Sequence, residues 1–499
     1  MSSILPKIAG WCRLSEFLKR QDGGILPFFA FVLVVLLGFA ALVYDVGRLL
    51  ASTTDFQSFA DHVAITAAGE LDGNNGARAR AQNAVTLLIQ DWEFFSQQGL
   101  TSGGQNLDIN DVTLRFLNDL PADDTTPIGA GFNATSDADA VYVEATIIPQ
   151  TISFHFIGAL QALTGAPILA NLTVSPQAVA GFTQFACDIT PLMFCSPDGM
   201  SGPALEAYLP GRMINLKAQS FWGPGAFGLL DVNFDPNGPC GNPNTGANFY
   251  ACAVAAAQSI TRCFSRRGVD IRPGQAVGPT QSGFNARMDI YRTSLNSKKN
   301  NPNFYPAPNV VKGIIKSGGG GSCISNNYDP SPDTDWLPND DCFAAGTCEH
   351  GNRFGEDTDW VSEAADGRAD YVTMNHDGID PSAGAATTRF QMYVAEIANA
   401  AGGPIVPQPR AETGLNACSN GQNSDPERRV FIAAAIDCST LPPGNASNVA
   451  VLDFYRLFMT RIAGDPDPPD LWVEAIDRVD PFGGGSGASS IRDHIQLYR

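Results

Sequence analysis

Eleven cysteines and five histidines are the residues whose chemistry is most easily read from type and spacing. Ten of the cysteines (Cys187, Cys195, Cys240, Cys252, Cys263, Cys323, Cys342, Cys348, Cys418 and Cys438) stand in the C-terminal part, an even set that reads as up to five disulfides. No C-x-x-C pair occurs, which leaves buried free thiols or a metal site as the lesser alternative. Local closure favours Cys187 with Cys195 and Cys418 with Cys438. An Ala-rich helix over 251–264 would hold Cys252 and Cys263 about 16 Å apart, too far for a bridge, so each needs another partner. The histidines (His62, His155, His350, His376, His494) are scattered, and no H-E-x-x-H, G-x-S-x-G, P-loop or G-x-G-x-x-G string is present, which leaves hydrolase and nucleotide chemistry without a motif. The acidic stretch DPSPDTDWLPNDD offers Asp329, Asp333 and Asp335 as calcium candidates, with Asp340 and Asp341 nearby. It lacks the glycine-turned loop and distal glutamate of an EF-hand, and solvated loop acids are the plainer reading. Arg287, Arg389, Arg428 and Arg429 sit near acids, so bidentate pairing with carboxylates that fixes loops is their expected role.

The elements that carry these residues follow from composition and hydropathy pattern. In 499 residues, 44% hydrophobic and 16% charged content excludes global disorder, while 50 Gly and 34 Pro imply long loops. Against 31 basic residues stand 51 acidic ones, a net charge of −20 that repels a phosphate backbone, so no nucleic acid partner is expected. Residues 25–44 (ILPFFAFVLVVLLGFAALVY) are uncharged, and as a helix they span about 30 Å, one bilayer crossing. Lys7, Arg13, Lys19 and Arg20 precede this run and Arg48 is the first basic residue after it, which places the N-terminus in the cytoplasm and the rest outside. The run is longer than a signal peptide core and no convincing Ala-x-Ala site follows, so it is expected to stay as an anchor. Cys12 then lies on the reducing side and the other ten in an oxidising compartment.

Beyond the anchor, Val46, Leu49, Leu50, Phe56, Ala60, Val63, Ala64, Ala67 and Leu71 recur at steps of three and four, which extends the helix outward as a stalk ending near the turn-forming residues 72–76. A second helix is predicted over 77–95 and strands near 112–116, 141–147, 178–185 and 430–436. The predicted fold is mixed α/β. It comprises a cytoplasmic segment (1–24), a transmembrane helix (25–44), a helical stalk with a small α/β module (45–186) and a disulfide-rich, loop-heavy α/β periplasmic domain (187–499). The Ala-rich face of Phe56, Ala60, Val63, Ala64 and Ala67 suits close packing with a partner helix, with packing onto the chain's own module as the alternative.

The N-terminal block resembles TadG-like Flp pilus assembly proteins, in which an anchor runs into a D-x-G-R pattern, an L-Q-like pair and an A-D-x-A-A-x-A-A-A string. Here these are Asp45, Gly47, Arg48, Phe56, Gln57, Ala60, Asp61, Ala64, Ala67 and Ala68, with Phe56 and His62 as departures. Later blocks are also similar, among them ACDITPLMFCSP, GPGAFGLLD, GFNARMD, TRFQMYVAEIA and ERRVFIAAAIDC. The resemblance implies a non-enzymatic inner-membrane protein of the tight-adherence secretion system. Its partners would be other pilus assembly proteins, the pseudopilins and the inner-membrane platform, and it would need no cofactor. Phe28 and Phe29 replace the glutamate that follows the cleavage glycine of pilin-like members, so prepilin-peptidase processing is not expected. Two rival functions are a calcium-dependent adhesin or ligand-binding protein of the envelope and an anchored periplasmic hydrolase.

Overall fold

The structure, a computed structural model, describes residues 25–73, 75–88, 91–93, 105–137, 139–157, 171–187, 189–198, 200–219, 221–231, 240, 246–257, 263–273, 277–318, 323–324, 327–356, 360, 367–464, 470–479 and 490–499. The expected cytoplasmic segment 1–24 lies outside the described residues. The chain divides into two compact units, Met1–Phe182 with Ile495–Arg499 and Thr183–His494.

In the first unit the anchor and the stalk are one helix, α1 (Ile25–Ala68), 44 residues long. It is long and apolar enough to cross a membrane. Its first twenty residues are almost wholly exposed, and its buried residues begin at Asp45. A second helix, α2 (Ala77–Leu88), is shorter than the predicted 77–95. The chain leaves it to form a strand, Asp91–Glu93, paired antiparallel with Gln105–Leu107, a pairing that local helical pattern does not reveal. Strands β1 (Val112–Leu117), β2 (Tyr142–Ile147) and the first part of β3 (Gln177–Ala186) form an antiparallel sheet against α1 and α2. The C-terminal strand, β12 (Ile491–Leu497), returns beside β3, where the backbone of Val179 bonds Arg499 and Tyr498. The sequence reading assigned these last residues to the 187–499 body. Their partner lies more than three hundred residues back, beyond the reach of local pattern.

The second unit is built on a closed ring of six strands, β4 (Leu192–Cys195), β5 (Met213–Ala218), β6 (Ala226–Leu230), β8 (Val430–Ile436), β10 (Asp453–Met459) and β11 (Asp470–Arg478). The order is β6, β4, β8, β10, β11, β5, and parallel pairing of β5 with β6 closes it. Strands β7 (Val269–Pro273) and β9 (Ala446–Val449) extend the sheet from β6. Both faces of these strands are covered. Leu192, Phe194, Leu229, Phe431 and Tyr455 join one core that includes helices α3 (Ala247–Ala255) and α4 (Val277–Ala286), whereas Met193, Cys195, Leu230, Ala434 and Ile436 join another. Strands buried on both sides read as continuous apolar runs, as VFIAAAI does. Helices α5 (Arg368–His376) and α6 (Arg389–Ala400) pack on a third cluster with Val430 and Phe458.

Among the described residues the disulfides are five, and neither of the favoured local closures forms. Cys187 pairs with Cys263, Cys195 with Cys438, Cys240 with Cys252, Cys323 with Cys418 and Cys342 with Cys348. Strand register explains two of them. Phe264 lies opposite Ala186 in an antiparallel pair, which brings Cys263 opposite Cys187. Parallel pairing of β4 with β8 sets Ile436 beside Cys195, so Cys438 follows just past it. Extended chain at Leu192–Cys195 carries Cys195 away from Cys187. Helix α3 stops at Ala255 rather than running to 264, because Ala256 takes an extended conformation, so Cys263 is not on that helix at all.

Candidate functional site

The N-terminal motif residues of α1 lock the helix to its own module. The carboxylate of Asp45, fully buried, accepts three backbone N–H groups, from His155 at 3.1 Å, Phe156 at 3.0 Å and Ile157 at 2.8 Å. Those residues are helical, and the free N–H groups where a helical turn begins attract a carboxylate. One turn and two turns further on, Arg48 and Ser52 are also buried. Gln57 donates to Asp61 Oδ1 at 2.8 Å and to the carbonyl of Gln177 at 3.2 Å, which ties α1 to the start of β3.

Phe56, Ala60, Val63, Ala64 and Ala67, expected as a face for a partner helix, are all fully buried with Val143, Ala145 and Ala180 of the sheet. The small side chains serve a close approach of helix to sheet within the chain. The side of α1 left in contact with solvent carries Leu50 and Ile65, 62% and 36% exposed.

In the second unit the conspicuous concavity is a cavity of about 960 Å³ bordered by Trp336, Phe343, Tyr371, Trp472 and several aspartates. Arg461 lies over the rings of Trp336 and Trp472, at 5.2 and 4.4 Å from their centroids. Asp333 accepts from the backbone N–H of Ala411, and Asp335 accepts from the N–H of Trp336, so these two calcium candidates hold loop backbone. Asp329 sits on a short strand, Tyr328–Pro330. Among the described residues no group of three or more His, Cys, Asp or Glu is placed to hold a metal ion. His376 Nε2 meets Glu396 Oε1 at 2.8 Å, and Tyr371 and Asn309 donate to the same carboxylate, all buried as one packed network.

Three of the four arginines depart from the expected carboxylate pairing. Only Arg389 follows it, reaching Asp340 at 2.6 Å, while the carboxylate of Glu474 accepts the N–H groups of Arg389 and Phe390 at the start of α6. Burial raises the Glu474 pKa above the usual carboxylate value despite the Arg389 charge beside it. Arg287 donates to the carbonyls of Val254, Arg428 and Val430. Arg428 reaches those of Tyr305, Ala255 and Ala256, and Arg429 those of Met459 and Thr460. Backbone carbonyls at strand and helix ends are the acceptors a guanidinium fork can gather several at a time. Burial lowers the pKa of all three, Arg428 to about 10. The blocks GFNARMD and ERRVFIAAAIDC thus act as internal braces.

Sequence reasoning marked Asp45 as a motif residue but missed its partner, because residues 155–157 stand about 110 positions away and carry no signal except an apolar turn. No curated protein and no solved structure matches the chain. Residues 23–70, which contain α1 and its buried motif, match the model of the Tad family, described as Flp pilus-assembly TadE/G-like, and this domain ties the chain to Flp pilus assembly.

Proposed function

We propose that this protein is a non-enzymatic assembly factor of the Flp pilus apparatus. It is anchored in the inner membrane by α1, with its N-terminus in the cytoplasm and its disulfide-braced body in the periplasm. The observation that carries this reading is the continuity of α1: one unbroken helix contains the uncharged run and the buried motif of the family-matched segment. Five cross-links in the second unit suit an oxidising compartment. Its partners are other components of the pilus machinery, reached from the exposed side of α1 or from the periplasmic body.

The test is replacement of the chromosomal copy. Removal of the protein should abolish surface Flp pili, and wild-type protein should restore them. A version in which residues 1–44 are exchanged for a cleavable signal peptide should be exported yet fail to restore them. Normal piliation without the protein would refute the reading.

A further inference from the structure

The first charged residue after a twenty-residue apolar run would ordinarily face the aqueous side of the headgroups, since burying a bare carboxylate is costly. Asp45 is instead fully buried, and the three N–H groups of His155, Phe156 and Ile157 satisfy it. That clamp fixes the turn 155–157 at the axial level of Tyr44 and Asp45, where the apolar run ends. The rings of Phe156 and Tyr44 meet edge to face at 5.4 Å. Both remain open to the surroundings, Phe156 50% and Tyr44 48% exposed. Val43, one residue below, is 70% exposed and belongs to the run itself. The aromatic pair is therefore continuous with the surface that meets lipid, and its sequence continuation, 158–170, has no charged residue.

We infer that the Tyr44–Phe156 pair is a membrane-interface contact: the turn 155–157 rests in the headgroup region of the bilayer that α1 crosses, and Asp45 is the residue that positions it there. Tyr44 favours that depth, because its ring meets acyl chain while its hydroxyl stays near water, and Phe156 adds apolar ring surface beside it. The lipid surface thereby fixes how deep the first unit sits as well as holding its helix. This rests on the anchor reading above.

The test uses the full chain with Cys12→Ser, so that a single introduced thiol takes an environment-sensitive fluorophore after the five disulfides have formed. Label sites are Phe156→Cys, Val35→Cys within the run and Leu50→Cys, about 9 Å beyond Tyr44 along α1. The purified protein is placed in phosphatidylethanolamine and phosphatidylglycerol vesicles carrying a nitroxide at a shallow or a deep acyl position. The label at 156 should be quenched more by the shallow nitroxide, the label at 35 more by the deep one, and the label at 50 little by either. Adding Asp45→Ala should remove the quenching at 156 and leave that at 35 intact. Absence of quenching at 156 with normal quenching at 35 would overturn this inference and leave the anchor standing, and would assign the aromatic pair to water or to another protein. Absence of quenching at 35 would overturn the anchor itself. Persistence at 156 in Asp45→Ala would overturn the positioning role of Asp45.

Discussion

Replacing Cys195 and Cys438 together by alanine should cost the second unit a large share of its stability. The two residues are 243 positions apart, with Cα atoms 5.4 Å from each other and side chains buried at the ends of paired strands. The relevant loop is shorter than the separation, because the other bridges remain in the unfolded chain. The shortest path runs from 195 back to 187, across to 263, on to 323, across to 418 and forward to 438, about 90 residues. Chain entropy then assigns the bridge about 4.6 kcal/mol. Against a usual range of about 5 to 15 kcal/mol for a folded domain, that is a third or more of the whole. With a urea dependence of about 3 kcal/mol per molar for a unit of this size, the midpoint should fall by about 1.5 M. Equilibrium urea unfolding followed by tryptophan fluorescence reads this directly, and a non-reducing peptide map of the wild type checks the connectivity. A midpoint lowered by less than about 0.3 M would refute the loop argument. A peptide linking Cys195 to Cys187 would refute the pairing.

Arg287→Met should destabilise by about 3 kcal/mol or more in the same urea assay, because the carbonyls of Val254 and Val430 lose their buried donor, and Arg287→Lys should not restore it since an ammonium cannot span them. Gly283→Ala should cost about 1 to 3 kcal/mol: an added Cβ would stand 2.6 Å from the Ala251 carbonyl and 2.9 Å from Val254 Cβ, where α4 crosses α3. A melting temperature equal to wild type would show that the crossing relaxes. Glu474 supplies a pH test. Its folded pKa is raised above 4.5, so the folded state holds a proton that the unfolded state releases, and stability from this group is present below 4.5 and lost as pH rises through the folded value. Urea midpoints of wild type should therefore decline, relative to Glu474→Gln, as pH rises through that window, and parallel curves would sink the assignment.

The sequence disclosed what depends on neighbours a few residues apart. The stripe Phe56, Ala60, Val63, Ala64 and Ala67 is helical at the spacing that marks one face, and the alternation at 112–116 and 141–147 appears as β1 and β2. Which surface that stripe meets could not be read, since a face of small residues fits a foreign helix and an own sheet equally. Disulfide partners were illegible for a related reason. Cys438 meets Cys195 only because β8 lies parallel to β4, and such a register is a property of the assembled ring. Arg287, Arg428 and Arg429 stand near acids in sequence, yet the acceptors they meet are main-chain carbonyls, which every residue carries and no composition reveals. Asp45 was visible as a motif residue, and its role as a cap for residues 155–157 was not.

The continuity of α1 has a mechanical consequence within the first unit. A helix of 44 residues is about 66 Å long, and sharp bends in helices arise at proline, at glycine pairs or at bulges. Pro27 falls in the first turn, where its missing N–H breaks no internal bond. Gly38 and Gly47 are isolated, and the helix runs through both without interruption. From Asp45 onward ten side chains of α1 are buried, fixed at one end by the clamp on residues 155–157 and further along by Gln57 on Gln177. A domain hung from its anchor by a flexible linker would let lateral or vertical movement of the anchor dissipate before reaching the body. Here the exposed apolar half and the core half share one hydrogen-bonded rod, so any tilt or shift imposed on the former displaces the sheet β1, β2 and β3 as well. Bending α1 at the boundary would require breaking backbone hydrogen bonds of the continuous helix and the Tyr44–Phe156 contact, and bending it further along would disrupt the buried packing around Phe56 and Phe59, so the element is a strut rather than a tether.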